Sequence, residues 1–269
     1  MRIGFIGLGS QGGPMARMIA KAGYPLTVWA RRPASAESFA GDGAQLAASP
    51  AELGAACDLV GLCVVGDDDV REVALDGGLL AAMRPGAILA VHSTVRPDTC
   101  LALAKAAPAG VQVLDAPVSG SGEAALEKRL AVMVGGDAAA FEAARPVFEA
   151  FGAPVRRMGA LGTGQLCKLV NNILLIANLK LAADAMAFGE GLGIEHDPLH
   201  EMLMASSARS FALDALERLI NPRNATHVAR LFRKDLGLAV EAAEAAGLRL
   251  ETLRQTAERT IADVEASAE

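Results

Sequence analysis

The stretch IGFIGLGSQGGPMARMIAKAG at residues 3–23 decides the fold of this chain. A short apolar run is followed at once by Gly7, Gly9 and Gly12 and then by an amphipathic segment, the order of a strand, a tight turn and a helix. In such a unit the first glycine permits the turn, the second lets a pyrophosphate approach the backbone, and the third lets the helix pack on the strand. The helix N-terminus then faces the phosphates. The segment predicts a dinucleotide site formed by Gly7, Leu8, Gly9, Ser10, Gln11 and Gly12.

The chain continues this pattern up to about residue 160, where short apolar runs alternate with helical segments. That alternation is typical of a parallel sheet covered by helices on both faces. The sequence therefore predicts an α/β Rossmann-type domain, a doubly wound parallel sheet, over residues 1–160. The predicted strands are residues 2–7, 26–30, 59–65, 87–92, 111–115 and 130–134.

After the glycines at 159–164 the strand-like runs stop, and residues 161–269 read as an all-α helical domain. Its first predicted helix, residues 165–189, would be about 36 Å long at the usual rise per residue. This helix is apolar on most of its circumference, so we expect other helices or a second subunit to cover it.

Composition excludes several classes of protein. The 269 residues are 52% hydrophobic and carry a net charge of -6 without a basic stripe, which argues against a nucleic-acid partner. The longest apolar stretch is interrupted by Lys180 and Asp184, which argues against a membrane span. The start lacks the pattern of a secretory signal, and the four cysteines lack metal-ligand spacing. We expect a cytoplasmic protein with no disulfide and no metal.

The end of the second predicted strand, Ala30 followed by Arg31 and Arg32, bears on the choice of cofactor. An enzyme for NAD usually places an acid there to bind the ribose diol, and this chain has none. Two guanidinium groups suit a 2′-phosphate instead, which favours NADP(H) over NAD(H). The alternative is that one or both arginines are solvated loop residues and that the preference is weak or dual.

Three further motifs appear along the chain: DAPVSG at 115–120, GTGQLCKLVNN at 162–172 and KDL at 234–236. Together with the glycine-rich turn they resemble the β-hydroxyacid dehydrogenase family, which includes 3-hydroxyisobutyrate dehydrogenase and glyoxylate/succinic semialdehyde reductases. The resemblance runs from residue 3 to about residue 247. It implies hydride transfer between a nicotinamide cofactor and a small β-hydroxyacid or semialdehyde, with the active site in the cleft between two domains. It also implies that the helical domain, residues 161–269, serves substrate binding and dimerisation, in a homodimer or homotetramer.

The resemblance implies that Lys168 is the catalytic general acid/base and that Asn172 assists it. Asn171 and Asn172 lie three and four residues further on, so all three side chains share one side of a helix. Partial burial lowers the pKa of a lysine towards neutrality, where it can exchange a proton with a carbonyl or an alcohol. The alternative interpretation is a lysine on a solvated helix surface.

The resemblance also implies that Ser119, Gly120 and Ser121, with Asn171, bind the substrate carboxylate. A hydroxyl group and exposed backbone N–H groups can hold an anion without an arginine. The alternative is an ordinary turn after a strand. The chain departs from the family pattern here, because Ser121 replaces a third glycine. Further on, Ala124, Lys128 and Arg129 replace the expected glycine, glycine and threonine.

Further cofactor contacts are implied at Thr94, near the nicotinamide, at the backbone of Val64 and Val65, and at Lys234. Each has a plainer alternative: a helix cap before Pro97, a core strand end, or a surface ion pair with the residue that follows. Two other functions stay open at this point. One is an imine or other carbonyl reductase on the same scaffold, and the other is a noncatalytic NADP-binding dimerisation module.

Overall fold

The chain forms two compact units, Met1–Lys168 and Leu169–Glu269. The computed structural model describes residues 1–267. The two units divide within a long helix, Thr163–Gly191, whereas the boundary predicted near residue 160 lies before that helix. The assignment of two functional domains stays a prediction.

The first unit is built on a mixed sheet that is mostly parallel. Its strands, within the described residues, are β1 Ile3–Ile6, β2 Leu26–Trp29, β3 Gln45–Leu46, β4 Leu59–Leu62, β5 Ile88–Val91, β6 Gln112–Asp115, β7 Val118–Ser119, β8 Leu130–Gly135 and β9 Gly152–Gly159. Their order is β3-β2-β1-β4-β5-β6-β8-β7, with β9 paired to β8. The six strands from β3 to β6 are parallel, and β8 runs antiparallel to β6 and β7. The predicted doubly wound Rossmann-type sheet is confirmed.

The strand order reverses beside β1, which is the feature that positions the site. From β1 the chain builds outward through β2 and β3, and then crosses to β4 on the other side of β1. In open α/β sheets, ligands bind at the carboxyl ends of the strands at such a reversal. The glycine-rich turn follows β1 directly and therefore lies at this point.

Both faces of the sheet are buried, which explains the continuous apolar runs in its central strands. Along β1, Ile3 and Phe5 belong to one hydrophobic core, while Ile6 belongs to the core on the opposite face. The same alternation occurs in β4, where Leu59 faces the first core and Leu62 the second. The predicted strand 59–65 was therefore too long, because the alternating buried positions end at Leu62.

Helices cover these cores. They are α1 Gly12–Lys21, α2 Pro33–Ala40, α3 Pro50–Ala56, α4 Asp67–Arg71 with a π-helical turn Glu72–Asp76, α5 Leu79–Ala82, α6 Pro97–Ala106, α7 Gly122–Leu126 and α8 Ala138–Phe148. Helix α3 begins with a capping box, in which Ser49 Oγ accepts a hydrogen bond from the Glu52 N–H at 3.1 Å. By contrast, the acids that begin α4 form its first turn and do not cap it, since its N-cap is Gly66.

The second unit is helical, as predicted. Helix α9, Thr163–Gly191, continues into it and is followed by α10 His196–Ala205, α11 Phe211–Leu219, α12 Ala225–Ala245 and α13 Glu251–Ala266. One face of α9 is buried through Leu169, Ile173 and Ile176, which pack in a core with residues of α12 and α13. This unit therefore has a core of its own.

The opposite face of α9 remains open. Val170, Leu174, Leu181 and Phe188 recur at helical spacing and are between 48% and 71% exposed. Among the described residues of the second unit no helix packs on this face, so of the two expected kinds of cover another helix of this unit does not supply it. The length and composition of α9 would also suffice to cross a membrane. Coverage by a second subunit stays a prediction.

Candidate active site

The glycine-rich turn has the geometry that its sequence predicts. Gly7 adopts a φ of +94°, which L side chains rarely take, and a Cβ there would overlap the carbonyl oxygen of Cys63. A Cβ on Gly12 would overlap the carbonyl oxygen of Gly7, so the helix approaches the turn closely. At Gly9 a Cβ would meet nothing within 4 Å. The turn is therefore packed at its first and third glycines and open at its second, where a pyrophosphate would lie.

Polar groups beside this turn fit the same ligand. Gln11, at the N-cap of α1, has a buried Nε2 with no hydrogen-bond partner among residues 1–267. Leu8 is half-buried and Ser10 is exposed. An unpaired buried amide donor is costly unless a ligand satisfies it. The turn and the start of α1 thus provide a donor and a helix N-terminus that suit the phosphates of a dinucleotide.

Arg31 lies beyond the end of β2 but is held by acids that follow β4. Its guanidinium is 2.9 Å from the carboxylate of Asp69 and 2.8 Å from that of Glu72. These two acids raise the pKa of Arg31 above its usual value. Arg32 is exposed and Ala30 is half-buried. In the sheet β1 lies between β2 and β4, so these ion pairs connect the segments that follow the two neighbours of β1. The adenosine of a dinucleotide would bind on this side of the sheet.

The predicted carboxylate turn lies against the glycine-rich turn. The two loops are in direct contact, since even a Cβ on Gly122 would overlap the carbonyl oxygen of Ser10. Gly120 adopts a φ of +127°, and a Cβ there would lie 2.7 Å from the side chain of Leu130. Ser121 Oγ accepts a hydrogen bond from the Ala124 N–H at 3.3 Å and so caps α7. Ser119, at the end of β7, is half-buried.

One departure from the family pattern produces a strained backbone. Lys128 has a φ of +57° and, among residues 1–267, is the only residue other than glycine with a positive φ. This is a position where the resemblance leads us to expect glycine, and glycine tolerates that conformation without a steric cost. The neighbouring Arg129 forms an ion pair with Glu127.

The start of α9 is fixed by a buried carboxylate at the end of β6. Asp115 is fully buried and accepts hydrogen bonds from the Gly162 N–H at 2.7 Å and from the Gln165 N–H at 2.6 Å. Burial raises the pKa of Asp115, and these backbone hydrogen bonds act in the opposite direction. The carboxylate therefore satisfies backbone donors at the N-terminus of the helix that carries Lys168. Lys168 is half-buried, one turn further along.

Gln165 connects the same helix to the loop after β5. Its Nε2 donates to the Ser93 carbonyl at 2.8 Å, and its Oε1 accepts from the Val95 N–H at 3.1 Å. Ser93 in turn accepts a hydrogen bond on Oγ from the Val64 N–H at 2.8 Å. Thr94, between the two residues bound by Gln165, is half-buried. The loops predicted to line the cofactor are thus linked to α9 by side-chain hydrogen bonds.

In the second unit the remaining predicted residues gather around Asp235. Asn172 is 9% exposed, and its Nδ2 donates to Asp235 Oδ2 at 2.6 Å. Asn171 Nδ2 donates to Asn172 Oδ1 at 2.9 Å. Lys234 Nζ lies 3.4 Å from Asp235 Oδ1. Since Asp235 is only 8% exposed, the pair at 234 and 235 does not form a solvated surface ion pair, and that alternative is wrong.

Most predicted site residues thus lie in the first unit, along the carboxyl edge of the sheet. There the glycine-rich turn contacts the Ser119 turn, and α9 is bound to the loops after β5 and β6. Asn171, Asn172 and Lys234 belong to the second unit. The sequence reasoning assigned no role to Asp115 or Gln165, although both lie inside quoted motifs. Two signals in the sequence were available. Asp115 is an acid at the end of a buried strand, and Gln165 is a glutamine that follows two glycines at the start of a helix.

His92 has a structural role. It is buried against Phe5, Phe148 and Phe151, and its Nδ1 donates to the Ala116 carbonyl at 2.7 Å. Burial lowers the pKa of His92 to about 4. Residues 1–267 contain no group of three or more His, Cys, Asp or Glu side chains that could hold a metal ion.

Two family models match the chain in succession. Residues 2–162 match the NAD-binding domain of 6-phosphogluconate dehydrogenase, and residues 162–268 match the NAD-binding region of NADP-dependent 3-hydroxyisobutyrate dehydrogenase. An NAD-dependent L-serine dehydrogenase of Pseudomonas aeruginosa is 38% identical over 255 residues, which cover 91% of this chain and 86% of that protein. A 2-(hydroxymethyl)glutarate dehydrogenase of Eubacterium barkeri is 34% identical, with 90% and 82% covered.

Solved structures agree with these matches. The 3-hydroxyisobutyrate dehydrogenase of Mycobacterium tuberculosis, solved with L-serine, superimposes with a TM-score of 0.86 at 29% identity and covers 100% of this chain and 96% of its own. Fold and site thus define a nicotinamide-dependent oxidoreductase built on a Rossmann-type sheet. The chain belongs to the β-hydroxyacid dehydrogenase family. As an enzyme of that family it uses NAD(P), and the noncatalytic alternative is set aside.

Proposed function

We propose that this enzyme transfers a hydride between NADP(H) and a small β-hydroxyacid or the matching semialdehyde, with Lys168 as general acid/base. The observation that carries the proposal is the clustering within the first unit. The glycine-rich turn contacts the turn that follows Ser119, and the hydrogen bonds of Gln165 join the Lys168 helix to the Ser93–Val95 loop. These are the elements that cofactor binding, substrate binding and proton transfer each require.

The nicotinamide cofactor supplies the hydride when a carbonyl is reduced and accepts it when an alcohol is oxidised. The protein must then supply or remove one proton at the substrate oxygen. Lys168 Nζ gives that proton during reduction and takes it during oxidation. Its position on the second turn of α9 supports this role, because Lys168 is half-buried and follows directly the helix start that Asp115 and Gln165 tie to the loops after β5 and β6. Asn172 and Asn171, on the following turn, are proposed to orient the reacting groups.

The substrate carboxylate is proposed to bind at Ser119, Gly120 and Ser121. The backbone at Gly120 is exposed and in a conformation open to glycine alone, so an anion can approach its N–H closely. Ser121 Oγ accepts the α7 capping bond and keeps its own O–H for donation. The relatives named above act, by their names, on L-serine and on 2-(hydroxymethyl)glutarate, and both compounds carry a hydroxyl group on the carbon β to a carboxylate.

The preference for NADP(H) rests on Arg31 and Arg32 and on the lack of an acid at the end of β2. Arg31 is already paired with both Asp69 and Glu72, so we propose a moderate preference and not a strict one. The open face of α9 supports a homodimer or homotetramer. We also propose a cytoplasmic location without nucleic-acid or membrane partners, in line with the charge of -6 and the lack of a basic stripe.

A panel of substrates tests the proposal. L-serine, 3-hydroxyisobutyrate, 2-(hydroxymethyl)glutarate and L-threonate are each mixed with NADP and with NAD, and glyoxylate, succinic semialdehyde and a cyclic imine with NADPH and NADH. The change in absorbance of the reduced nicotinamide is followed. Turnover of at least one hydroxyacid or semialdehyde, faster with the 2′-phosphorylated cofactor, is expected. Turnover of the imine alone would support the imine reductase instead and overturn the proposal.

A further inference from the structure

Asp115 and Gln165 are buried polar residues that the proposed reaction does not use directly. Both are fully buried. Asp115 binds the start of α9, and Gln165 belongs to the first turn of that helix. Buried polar groups cost free energy unless they are fully hydrogen-bonded, so their retention in a core calls for a physical explanation. Here both side chains are hydrogen-bonded, and the two residues meet at one place, the first turn of the helix that carries Lys168.

The carboxylate of Asp115 restricts movement of the backbone at the start of α9. Its two oxygens bind the Gly162 and Gln165 N–H groups at 2.7 and 2.6 Å. The surrounding backbone is so close that a Cβ on Gly135 would overlap Oδ1, and a Cβ on Gly164 would lie 2.8 Å from Oδ2. The helix start is therefore held at a fixed distance from the end of β6.

Gln165 adds a second restraint, directed at the loop after β5. It donates to Ser93 and accepts from Val95, so its amide holds the peptide on each side of Thr94. Through Ser93 Oγ the restraint extends to Val64, beyond the end of β4. Lys168 lies three residues after Gln165, on a neighbouring position of the same helix. Any shift of the loop relative to the helix must break these bonds.

We propose that Gln165 and Asp115 are positioning residues that hold Lys168 in register with the cofactor-lining loops after β4 and β5. Neither residue exchanges a proton with the substrate. Their role is to keep Lys168 Nζ at the distance and orientation that proton transfer needs, because a displacement of about 1 Å in such a group costs about 10²-fold in rate. The inference rests on the proposed function, since it gives Lys168 the proton-transfer role.

The main test variant is Gln165→Met, which keeps the length and packing of the side chain and removes both hydrogen bonds. Gln165→Asn, which keeps the amide but shortens its reach, serves as the milder variant should the first fail to fold. Thr99→Val is the matched control. Thr99 is also fully buried, and its hydroxyl donates to Asp67 at 2.6 Å, but it makes no bond to α9.

The first measurement needs no substrate. Trace acetylation of Lys168 by acetic anhydride is followed across pH by peptide mass spectrometry in the wild-type protein and in each variant, with and without NADPH. Loss of positioning should change the labelling rate of Lys168 by about threefold or more and alter its pH dependence, because the environment of the amine changes. Thr99→Val should leave both unchanged. Wild-type labelling in a folded Gln165→Met protein would overturn the inference, whatever the substrate proves to be.

The second measurement is a double-mutant cycle on turnover, with the hydroxyacid or semialdehyde of the panel that is turned over fastest. Gln165→Met alone should lower kcat by about tenfold or more. In a Lys168→Ala background the same change should alter the residual rate by less than about twofold, because its effect acts through the lysine. Additive losses would indicate a merely structural role for Gln165 and overturn the inference. Full activity of Lys168→Ala alone would instead refute the proposed function.

Discussion

The guanidinium of Arg31, which follows β2, lies 2.9 Å from the carboxylate of Asp69, in the first turn of the helix after β4. Glu72 lies 2.8 Å from the same guanidinium. The residue that would recognise a 2′-phosphate is therefore already paired with two negative charges. A phosphate that binds Arg31 must also tolerate these carboxylates, which weakens its attraction.

Removal of one carboxylate should strengthen NADPH binding. In Glu72→Gln the repulsion of the 2′-phosphate falls, so we expect the Kd of NADPH to drop by about threefold, the scale of an exposed charge interaction, with the Kd of NADH unchanged. Quenching of protein fluorescence measures both. Glu142→Gln, which removes another exposed acid paired with arginine, is the control and should change neither constant. Equal effects on NADPH and NADH would contradict the assignment of Arg31 to the 2′-phosphate.

Loss of the lysine amine should remove turnover but not cofactor binding. Lys168→Ala is expected to lower kcat/KM by about 10² or more, because no other group replaces the proton donor, while the Kd of NADPH changes by less than about twofold. Stopped-flow assays and fluorescence titration measure the two quantities. Lys105→Ala, on an exposed face of α6, should behave as the wild-type enzyme. A loss below tenfold would mean that another group handles the proton.

Relief of the strained backbone at Lys128 should stabilise the first unit. Lys128→Gly keeps the left-handed conformation without its steric cost, so the free energy of unfolding should rise by about 1 kcal/mol and the Tm by about 2–4 °C. Thermal denaturation followed by circular dichroism checks this. Glu142→Gly, in the interior of α8, should lower the Tm, since a helix disfavours glycine. A fall in Tm for both variants would show that Lys128 forms contacts that outweigh its strain.

The buried imidazole of His92 should make stability depend on pH. Its pKa is about 4 in the folded protein and about 6.5 in the unfolded chain. Between these values the unfolded chain binds the proton and the folded protein does not, so stability is lost as the pH falls from 6.5 towards 4. The loss due to this group should reach about 2 kcal/mol at pH 5.

A variant that cannot titrate isolates this effect. His92→Asn keeps a donor for the Ala116 carbonyl, and the difference between its urea midpoints at pH 7 and pH 5 should be smaller than that of the wild-type protein. His227→Asn replaces an exposed histidine and should keep the wild-type difference. An unchanged pH dependence in His92→Asn would show that carboxyl groups alone account for the acid instability.

The sequence was sufficient for the central strands and the glycine-rich turn because local patterns encode them. Strands buried on both faces require unbroken apolar runs, and the turn after Ile6 requires glycine where a Cβ would overlap the backbone. The edge strand β9 was missed for the same reason. Its Arg156 and Arg157 are exposed, and only Val155 among its central residues is buried apolar, so no apolar run marks it.

What only the tertiary structure decided is which distant residues meet. The bond between Asp115 and Gln165, the capture of Arg31 by Asp69, and the hydrogen bond from Asn172 to Asp235 join residues 50, 38 and 63 positions apart. Hydrogen bonds and ion pairs act over a few ångströms in space and leave no periodic trace along the chain. The sequence by itself therefore determined the scaffold, the cofactor turn and the candidate lysine, whereas the folded chain determined which side chains hold them in place.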